Sequence, residues 1–587
     1  MSLGPLLTRG AICAAILPFA GTVYAFDYGG IDPSRMPVQD WKDTRWIDPG
    51  GWTTIDVSEH GLTPNSTSID ASAKIAQIVQ STSGRRRLFF PKGVYYFKSS
   101  LTLTTGDLWI DGEGYDKTTF RISAPGSSNA EIRFRGSTGG VTTVSGSVPV
   151  GATTITVADA GSIAVNDIVQ LYADNAPIAN GGRAWAFELY AQLFRVIAKS
   201  GNTLTLDMKV LLNYDVSYAP RLRKLNPVRN VKVSGLKIER VNEPSQENVT
   251  NLLFANAYNC IVTENESSFA GRNHIHFEMA KDCVIERNYV HDCWRTKTGG
   301  YGYGYSLVAA TGCRISNNKA ARLRHHVVLQ AGANHNVVSY NSVESPHDYN
   351  DVAFHATWAY MNLIEGNAFT ESYADFSKDG QDIEARTGPG NTWFRNSAAG
   401  VVGSFQGSTT RPNILGNLVG SISSSGSDHY VGANNVGGTV VWGVLNASSV
   451  VPPSLYLVSK PSFFKSGTTW PLFGPGVAGW GADNSVPARS IKNVFTVDSR
   501  AKFGAKIRTK KLRDRVRMRG TVSDEDRVKR VMAVADGSNA KVRVVKKKGG
   551  RQVIWRILFT PGREKSRVVV TVIDTLGFET KKTFRVE

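Results

Sequence analysis

After residue 25 the chain has no run that approaches 18 uninterrupted apolar residues, and this excludes a membrane-spanning helix from that part of the sequence. Cysteine is scarce. Five occur in 587 residues, and Cys260, Cys283, Cys293 and Cys313 follow no C-x-x-C spacing, which argues against a zinc site. Acidic residues are nowhere in excess. The whole chain carries 68 Lys+Arg against 49 Asp+Glu, but residues 1–488 hold 40 and 39 of these, close to balance. The +19 therefore belongs almost entirely to residues 489–587, with 28 Lys+Arg and 10 Asp+Glu. Spread evenly, such a charge would suggest nucleic acid. Concentrated in one small module of an exported chain, it does not, and no nucleic-acid partner is expected. What is present is 41% hydrophobic residues with 12 Trp, 20 Tyr and 25 Phe, enough for a sizeable core and too much for wholesale disorder. The 57 Gly suit turn-rich β structure.

Met1–Ala25 reads as a secretory signal. Arg9 supplies the positive end, Ala11–Ala20 an apolar stretch interrupted by Pro18, and Val23-Tyr24-Ala25 a small-x-small cleavage site. A secreted or periplasmic protein, expected to be a monomer, follows from this reading.

Internal repetition sets the architecture. Cys260-Ile-Val-Thr-Glu-Asn265, Cys283-Val-Ile-Glu-Arg-Asn288 and Cys313-Arg-Ile-Ser-Asn-Asn318 share one pattern with Asn336-Val-Val-Ser-Tyr-Asn341, Asn362-Leu-Ile-Glu-Gly-Asn367 and Asn391-Thr-Trp-Phe-Arg-Asn396. Their starts are 23, 30, 23, 26 and 29 residues apart. Alternation along a strand turns the first and third residues inward and the fourth outward. Asn at the sixth position predicts an internal ladder of stacked amides that also satisfies turn backbone. A unit of this length built of short strands and turns is one coil of a parallel β-helix. Cys260, Cys283 and Cys313 then share a column as buried thiols, close enough for a disulfide between neighbours. Cys293 is out of phase.

Ile55-Asp-Val-Ser58, Ile69-Asp-Ala-Ser-Ala-Lys-Ile-Ala-Gln-Ile-Val79, Arg87-Leu-Phe-Phe-Pro-Lys-Gly-Val-Tyr-Tyr-Phe97 and Leu108-Trp-Ile-Asp-Gly112 occur in the order of the N-terminal region of pectate-lyase-superfamily β-helix proteins, which the chain resembles. The resemblance implies a capping helix and an all-β, right-handed parallel β-helix that acts on carbohydrate. It transfers no catalytic residue. The Asn-Thr-Asp, Gly-His-Gly and Arg-Ile-Lys signatures of polygalacturonases are missing, and Trp109-Ile-Asp-Gly112 lacks the His of the related pectate-lyase motif. The expected organisation is a signal over 1–25, cap and first coils over 26–134, and a small β insertion over 135–225. Further coils with the active groove follow over 226–450, then a closing linker over 451–488 and a basic module over 489–587. That last module, with Val553–Phe559 and Val568–Asp574 as strands, resembles bacterial immunoglobulin-like β-sandwiches. Its charge suggests that it tethers the chain to an anionic glycan or envelope surface.

Counting back from each ladder start gives a second strand per coil: Asn273–Glu278, Tyr303–Val308, His325–Gln330, Asn350–His355 and Gly380–Arg386. If Phe277, Leu307, Leu329 and Phe354 face in, then His274, His276, Glu278, His326, Gln330, Asp351 and His355 face solvent, with Asp382, Glu384 and Arg386 extending the surface. The loop Trp294–Tyr305 adds Tyr301, Tyr303, Tyr305 and Lys297, and Arg322 and Arg324 form a basic strip. Four His with carboxylates and Arg on one face point to a polysaccharide groove. β-Elimination from a uronate needs a base, a cation at the carboxylate and an acid for the leaving oxygen. His326 or His355, Arg324 or Arg386, and Tyr303 or Tyr305 are the candidates. His274, His276, Glu278, Gln330, Arg322, Arg386, Asp382, Tyr301 and Lys297 are candidate substrate contacts. Hydrolysis instead needs two carboxylates, for which Asp351, Glu384, Asp382 and Glu278 are the candidates. A noncatalytic glycan-binding β-helix is the third reading. The expected partner is an anionic polysaccharide. A divalent cation such as calcium is a candidate cofactor, with no ligand set identified.

Overall fold

The computed structural model describes residues 26–491 except 127–128, 174–187, 247–248, 297–299, 345–350, 356–357, 375–386, 403–410, 425–427, 465 and 482–485, together with strands between Lys502 and Val586. The signal reading over 1–25, and Lys297, Asp382, Glu384 and Arg386, lie outside the described residues.

The body is a right-handed parallel β-helix in which each coil gives one strand to each of three parallel sheets. Sheet 1 contains Leu108–Gly112, Val231–Ser234, Ile261–Thr263, Val284–Glu286, Arg314–Ser316, Val337–Ser339, Leu363–Glu365 and Thr392–Phe394. Sheet 2 contains Thr118–Ile122, Lys237–Arg240, Glu266–Ala270, Tyr289–Cys293 and Lys319–Ala321. Sheet 3 contains Ala130–Arg135, Thr250–Tyr258, Asn273–Lys281, Tyr303–Val308, His325–Gln330, Val352–His355 and Glu371–Ala374. The last of these, Glu371–Ala374, follows Val352–His355 in this sheet; the strand expected at Gly380–Arg386 falls outside the described residues.

The corners explain why Asn recurs. The residue before each ladder Asn is left-handed: Glu264, Arg287, Asn317, Tyr340, Gly366 and Arg395 have φ of 51–69°. This folds the chain sharply and leaves amides and carbonyls facing inward. The side chain of the next Asn pairs them. The backbone N–H and Nδ2 of Asn265 both donate to Asn288 Oδ1 (3.0 and 3.1 Å), and the ladder continues through Asn318, Asn341, Asn367, Asn396 and Asn417 to Asn434. A second ladder runs along the other edge of sheet 1 through Asn336, Asn362 and Asn391. The cysteines extend it. Cys260 N–H and Cys283 N–H donate to the next sulfur at 3.4 Å, and Cys313 N–H donates to Asn336 Oδ1 at 2.8 Å. All three are free, buried thiols.

Phe277, Leu307, Leu329 and Phe354 stack in register inside the coil, as expected. Helix α1, Ala71–Ser81, caps one end. Asp70 accepts from Ser72 N–H at 3.1 Å, and Ile75, Ile78 and Val79 form the buried stripe. At the other end Tyr430–Val436 turns back into an antiparallel pairing with Thr439–Gly443.

The outward residues of sheet 1, including Ser316, Ser339 and Glu365, are nevertheless buried, because two segments lie across them. Residues 26–49 contribute Trp41, whose Nε1 donates to Met361 O (2.8 Å), and Thr44, whose carbonyl receives Arg314 Nε (2.6 Å). Residues 451–491, expected as a linker, form a packed strap. Leu455 N–H donates to Glu365 (2.9 Å), Tyr456 OH meets Ser339 Oγ (2.7 Å), and buried Arg395 donates to the carbonyls of Val451, Pro452, Phe473 and Pro475.

Residues 137–226 form a separate antiparallel six-stranded sheet with its own core. It leans on the C-terminal ends of the third-sheet strands. Leu193 N–H donates to Thr311 Oγ1 (3.1 Å), and Leu189 packs with Val308, Ala331 and Trp358. The tail consists of two antiparallel sheets, one of five strands and one of four. Among the described residues no helix is long and apolar enough to cross a membrane.

Candidate active site

The outer face of sheet 3 carries two rows of side chains. One runs Arg133, Leu253, His276, Ser306, Val328, Ala353; the other runs Arg135, Ala255, Glu278, Val308, Gln330, His355. The insertion walls one side through Leu189, which packs with Val308, Ala331 and Trp358 of the coils. On the other side lie the described ends of the Trp294–Tyr305 segment. There Arg295 Nε pairs with Glu243 (2.5 Å), and its Nη1 donates to the hydroxyl of Tyr301 (3.1 Å), a ring that is itself buried.

Three rings converge between them. Tyr303 lies 5.3 Å from His325 and 6.2 Å from His355, and the two imidazoles are 6.2 Å apart, centroid to centroid. The Arg272 guanidinium sits over Tyr303 at 5.9 Å. Among the described residues the Tyr303 hydroxyl has no hydrogen-bond partner. Half-buried Glu278 is raised above the usual carboxylate range by burial, against the pull of Arg135, Arg272 and Arg133. His276 is pushed down to about 3 by burial and by Arg272. The face is therefore cationic and aromatic, with imidazole nitrogens and a phenol at its centre. Arg324 and buried Gln330 border it.

Several expected members are elsewhere. His274 is not on the surface. Its Nδ1 meets Ser267 Oγ (2.8 Å), its Nε2 lies 3.4 Å from Cys293 Sγ, and burial pushes it down to about 3. His274 shares its column with Gly304, where a Cβ would meet Val290 and Leu323, so that column faces the interior corner. His326 is also fully buried, with Nδ1 2.9 Å from Asp351 Oδ1. Here His326 and Val327 both donate to Asp351 O (2.7 and 2.9 Å), a bulge that turns His326 inward and brings His325 to the triad. Asp351 is not a surface acid. Its Oδ2 accepts the N–H groups of Thr370 and Glu371 (2.5 and 3.3 Å). Tyr305 is inside the coil, its hydroxyl within hydrogen-bond distance of Asn288 O and Lys319 O (3.1 and 2.9 Å). Arg322 belongs to the second corner, paired to Asp292 by two 2.8 Å bonds beside His291. Arg133, Arg135 and Arg272 were absent from the sequence expectation. The alternation in Glu131-Ile-Arg-Phe-Arg135 held the signal for the first two.

The chain is thus an all-β protein of the right-handed parallel β-helix class with a His-, Tyr- and Arg-bearing face on its third sheet. A family model described as periplasmic copper-binding protein (NosD) matches residues 200–419. That span is similar to the family over well under half of the chain. Cys260, Cys283 and Cys313 are enclosed in the coil, Cys293 meets His274, and among the described residues no three His, Cys, Asp or Glu side chains converge as for a metal ion. Nothing matches among curated proteins. Similar solved structures include the tailspike gp49 of Pseudomonas phage LKA1, with 13% identity, 88% of this chain and 91% of that one covered, and a TM-score of 0.41. The Gp54 tailspike of Acinetobacter baumannii bacteriophage AP22, solved with capsular saccharide, has 12% identity, 91% and 96% coverage, and 0.40. The alginate lyase of Paenibacillus sp. str. FPU-7 has 10% identity, 63% and 98% coverage, and 0.32. At such identity and similarity they carry no functional conclusion.

Proposed function

We propose that the chain is an exported polysaccharide-degrading enzyme that cleaves an anionic, uronate-containing glycan by β-elimination on the outer face of its third sheet. The observation that carries this reading is the Tyr303–His325–His355 cluster beside Arg272, on a face lined by Arg133 and Arg135. Half-buried His355 is placed to remove the proton alpha to the uronate carboxylate. The freed electron pair forms the ring double bond as the glycosidic C–O bond breaks. Tyr303 donates its proton to the departing oxygen. Arg272 and its neighbours hold the carboxylate on which charge develops in the transition state, where fixed cations lower the barrier most. Hydrolysis by paired carboxylates is less well served. Within the two rows Glu278 is the one carboxylate, and Asp351 is enclosed.

The test is turnover of a panel of uronate polysaccharides by purified protein. It reads the ultraviolet absorbance of the unsaturated product together with new reducing ends, with calcium and chelator arms to read cation dependence. Absorbance that rises with reducing ends supports the lyase. Reducing ends without it would establish hydrolysis instead.

A further inference from the structure

Arg133 and Arg135 share one rung of the third-sheet face, well before its reacting centre. Arg135 lies beside Ala255 and Ala255 beside Glu278, and the row continues through Val308 and Gln330 to His355. The strand of Tyr303 is therefore three rungs on, and that of His355 five. At about 4.8 Å per rung these are about 14 Å and about 24 Å. The sugar whose bond breaks has Arg272 for its carboxylate, with the guanidinium over Tyr303 at 5.9 Å. The two arginines of the earlier rung are left for another group.

Their setting suits an anion. Alternate residues of a strand share a face about 7 Å apart, so two like charges stand side by side. Burial and the charge of Arg135 pull the Arg133 guanidinium below its ordinary value. Other arginines on the outside of the coil are paired with a carboxylate: Arg87 with Asp111, Arg121 with Glu239 and Arg322 with Asp292. Among the described residues Arg133 and Arg135 are not. Arg135 is exposed and makes no hydrogen bond there. Arg133 Nη2 donates to Asn129 Oδ1, and its Nε has no partner. Glu278, two rungs on, feels both charges but pairs with neither. The neighbours in the two rows are short: exposed Thr102 beside Arg133, and Ala255 beside Arg135. Both guanidiniums can therefore be reached along the coil axis.

We propose that Arg133 and Arg135 are a remote subsite for a second carboxylate of the same uronate chain, which lies along the coil axis and must be long enough to reach both ends. This rests on the third-sheet face being the uronate site, and not on the chemistry at His355. A guanidinium takes a carboxylate through two parallel hydrogen bonds. An extended chain that advances one sugar per rung of about 4.8 Å places about three to five residues between the subsite and the scissile bond. Cleavage then falls inside a long chain, and short oligomers are poor substrates.

The experiment titrates the full-length His355→Ala protein with trimers and hexamers of galacturonate and of mannuronate, read by calorimetry. It also measures kcat/KM of the unaltered protein on the same oligomers by ultraviolet absorbance. The hexamer of one uronate should bind at least about tenfold tighter than its trimer. In Arg133→Gln/Arg135→Gln this advantage should vanish, and in the exposed single variant Arg135→Gln it should shrink, with a weaker dependence on salt. Absence of hexamer binding at millimolar concentration overturns the proposal. So does a hexamer that binds no tighter than the trimer, or an advantage that the double variant leaves intact. Length-dependent binding without unsaturated product would remove the elimination reading and leave the subsite standing. Product formed from the trimer as readily as from the hexamer would remove the subsite and leave elimination standing.

Discussion

The outer faces of the first and third sheets are built on the same coils and differ in cover. Sheet 3 presents Arg133, Arg135, Arg272 and the Tyr303–His325–His355 cluster. Sheet 1 is covered along most of its length by residues 26–49 and by the strap. The ladders fix the backbone equally for both. What differs is which side chains alternate outward and what lies over them, so function here is assigned by cover and column, not by fold.

The sharpest way to break the comparison is His355→Ala. Loss of a proton-transfer group costs about 10²–10⁴-fold, and kcat on an anionic glycan should fall by that much while the urea midpoint stays within the range of a surface substitution. A kcat unchanged by the substitution would remove the third-sheet face from the reaction. Next in size is Asn318→Ala. It strands the N–H of Asn288 and takes the Nδ2 donor from the carbonyls of Ile285 and Ser316. A cost of about 2–4 kcal/mol is expected from the unpaired buried groups. The urea midpoint should drop, and both faces should unfold together, since they share this support.

Acidity should move the two faces in opposite directions. Burial raises Glu365, under the strap, to about 7. The folded state then holds a proton that the unfolded chain gives up, so this contribution declines as pH rises from about 4.5 to 7 and strengthens on acidification. His274 and His276, on the third-sheet strands, are depressed to about 3. Below about 6.5 the unfolded chain binds protons that they do not, so their contribution falls with pH. Glu365→Gln should stabilise the protein at pH 8 by about 2–3 kcal/mol and remove the first trend only. A stability–pH curve unchanged by it would show that the strap is not anchored there. The smallest effect is expected from deleting residues 492–587. If the basic tail tethers the chain, this deletion weakens retention on an anionic glycan matrix, in a salt-dependent way, and leaves turnover of soluble substrate unchanged. Loss of turnover would place the tail in the catalytic unit.

The Cys and Asn copies revealed the coils, their register and the inward column of Phe277, Leu307, Leu329 and Phe354, because each coil repeats the same steric demand at the corner. The face was legible only in part. Simple alternation places His274 and His326 outside, but the corner and the bulge at Asp351 O reverse the first residues of those strands. Tyr303 and Tyr305 share the parity of Leu307, so alternation alone does not separate the ring that meets His325 and His355 from the one enclosed in the coil. Arg133 and Arg135 escaped notice because residues 137–226 separate their strand from the coil that stacks on it. The cover over sheet 1 had no local signal. It arises from segments hundreds of residues away, such as Trp41 against Met361.

The ends of the stack carry a consequence of their own. A parallel coil with a bare terminal strand is a template on which another chain can pair, and indefinite growth of the stack is the hazard of this architecture. Helix α1 closes one edge with a surface that has no strand to offer. At the other, the reversal at Val436 lays Thr439–Gly443 antiparallel across the last rung, with exposed Val440 and Val441 and a left-handed Gly443. That short, twisted rim is out of phase with the parallel ladder of a second molecule. The same hairpin that terminates the coil therefore denies a second molecule the parallel strand on which the stack could continue.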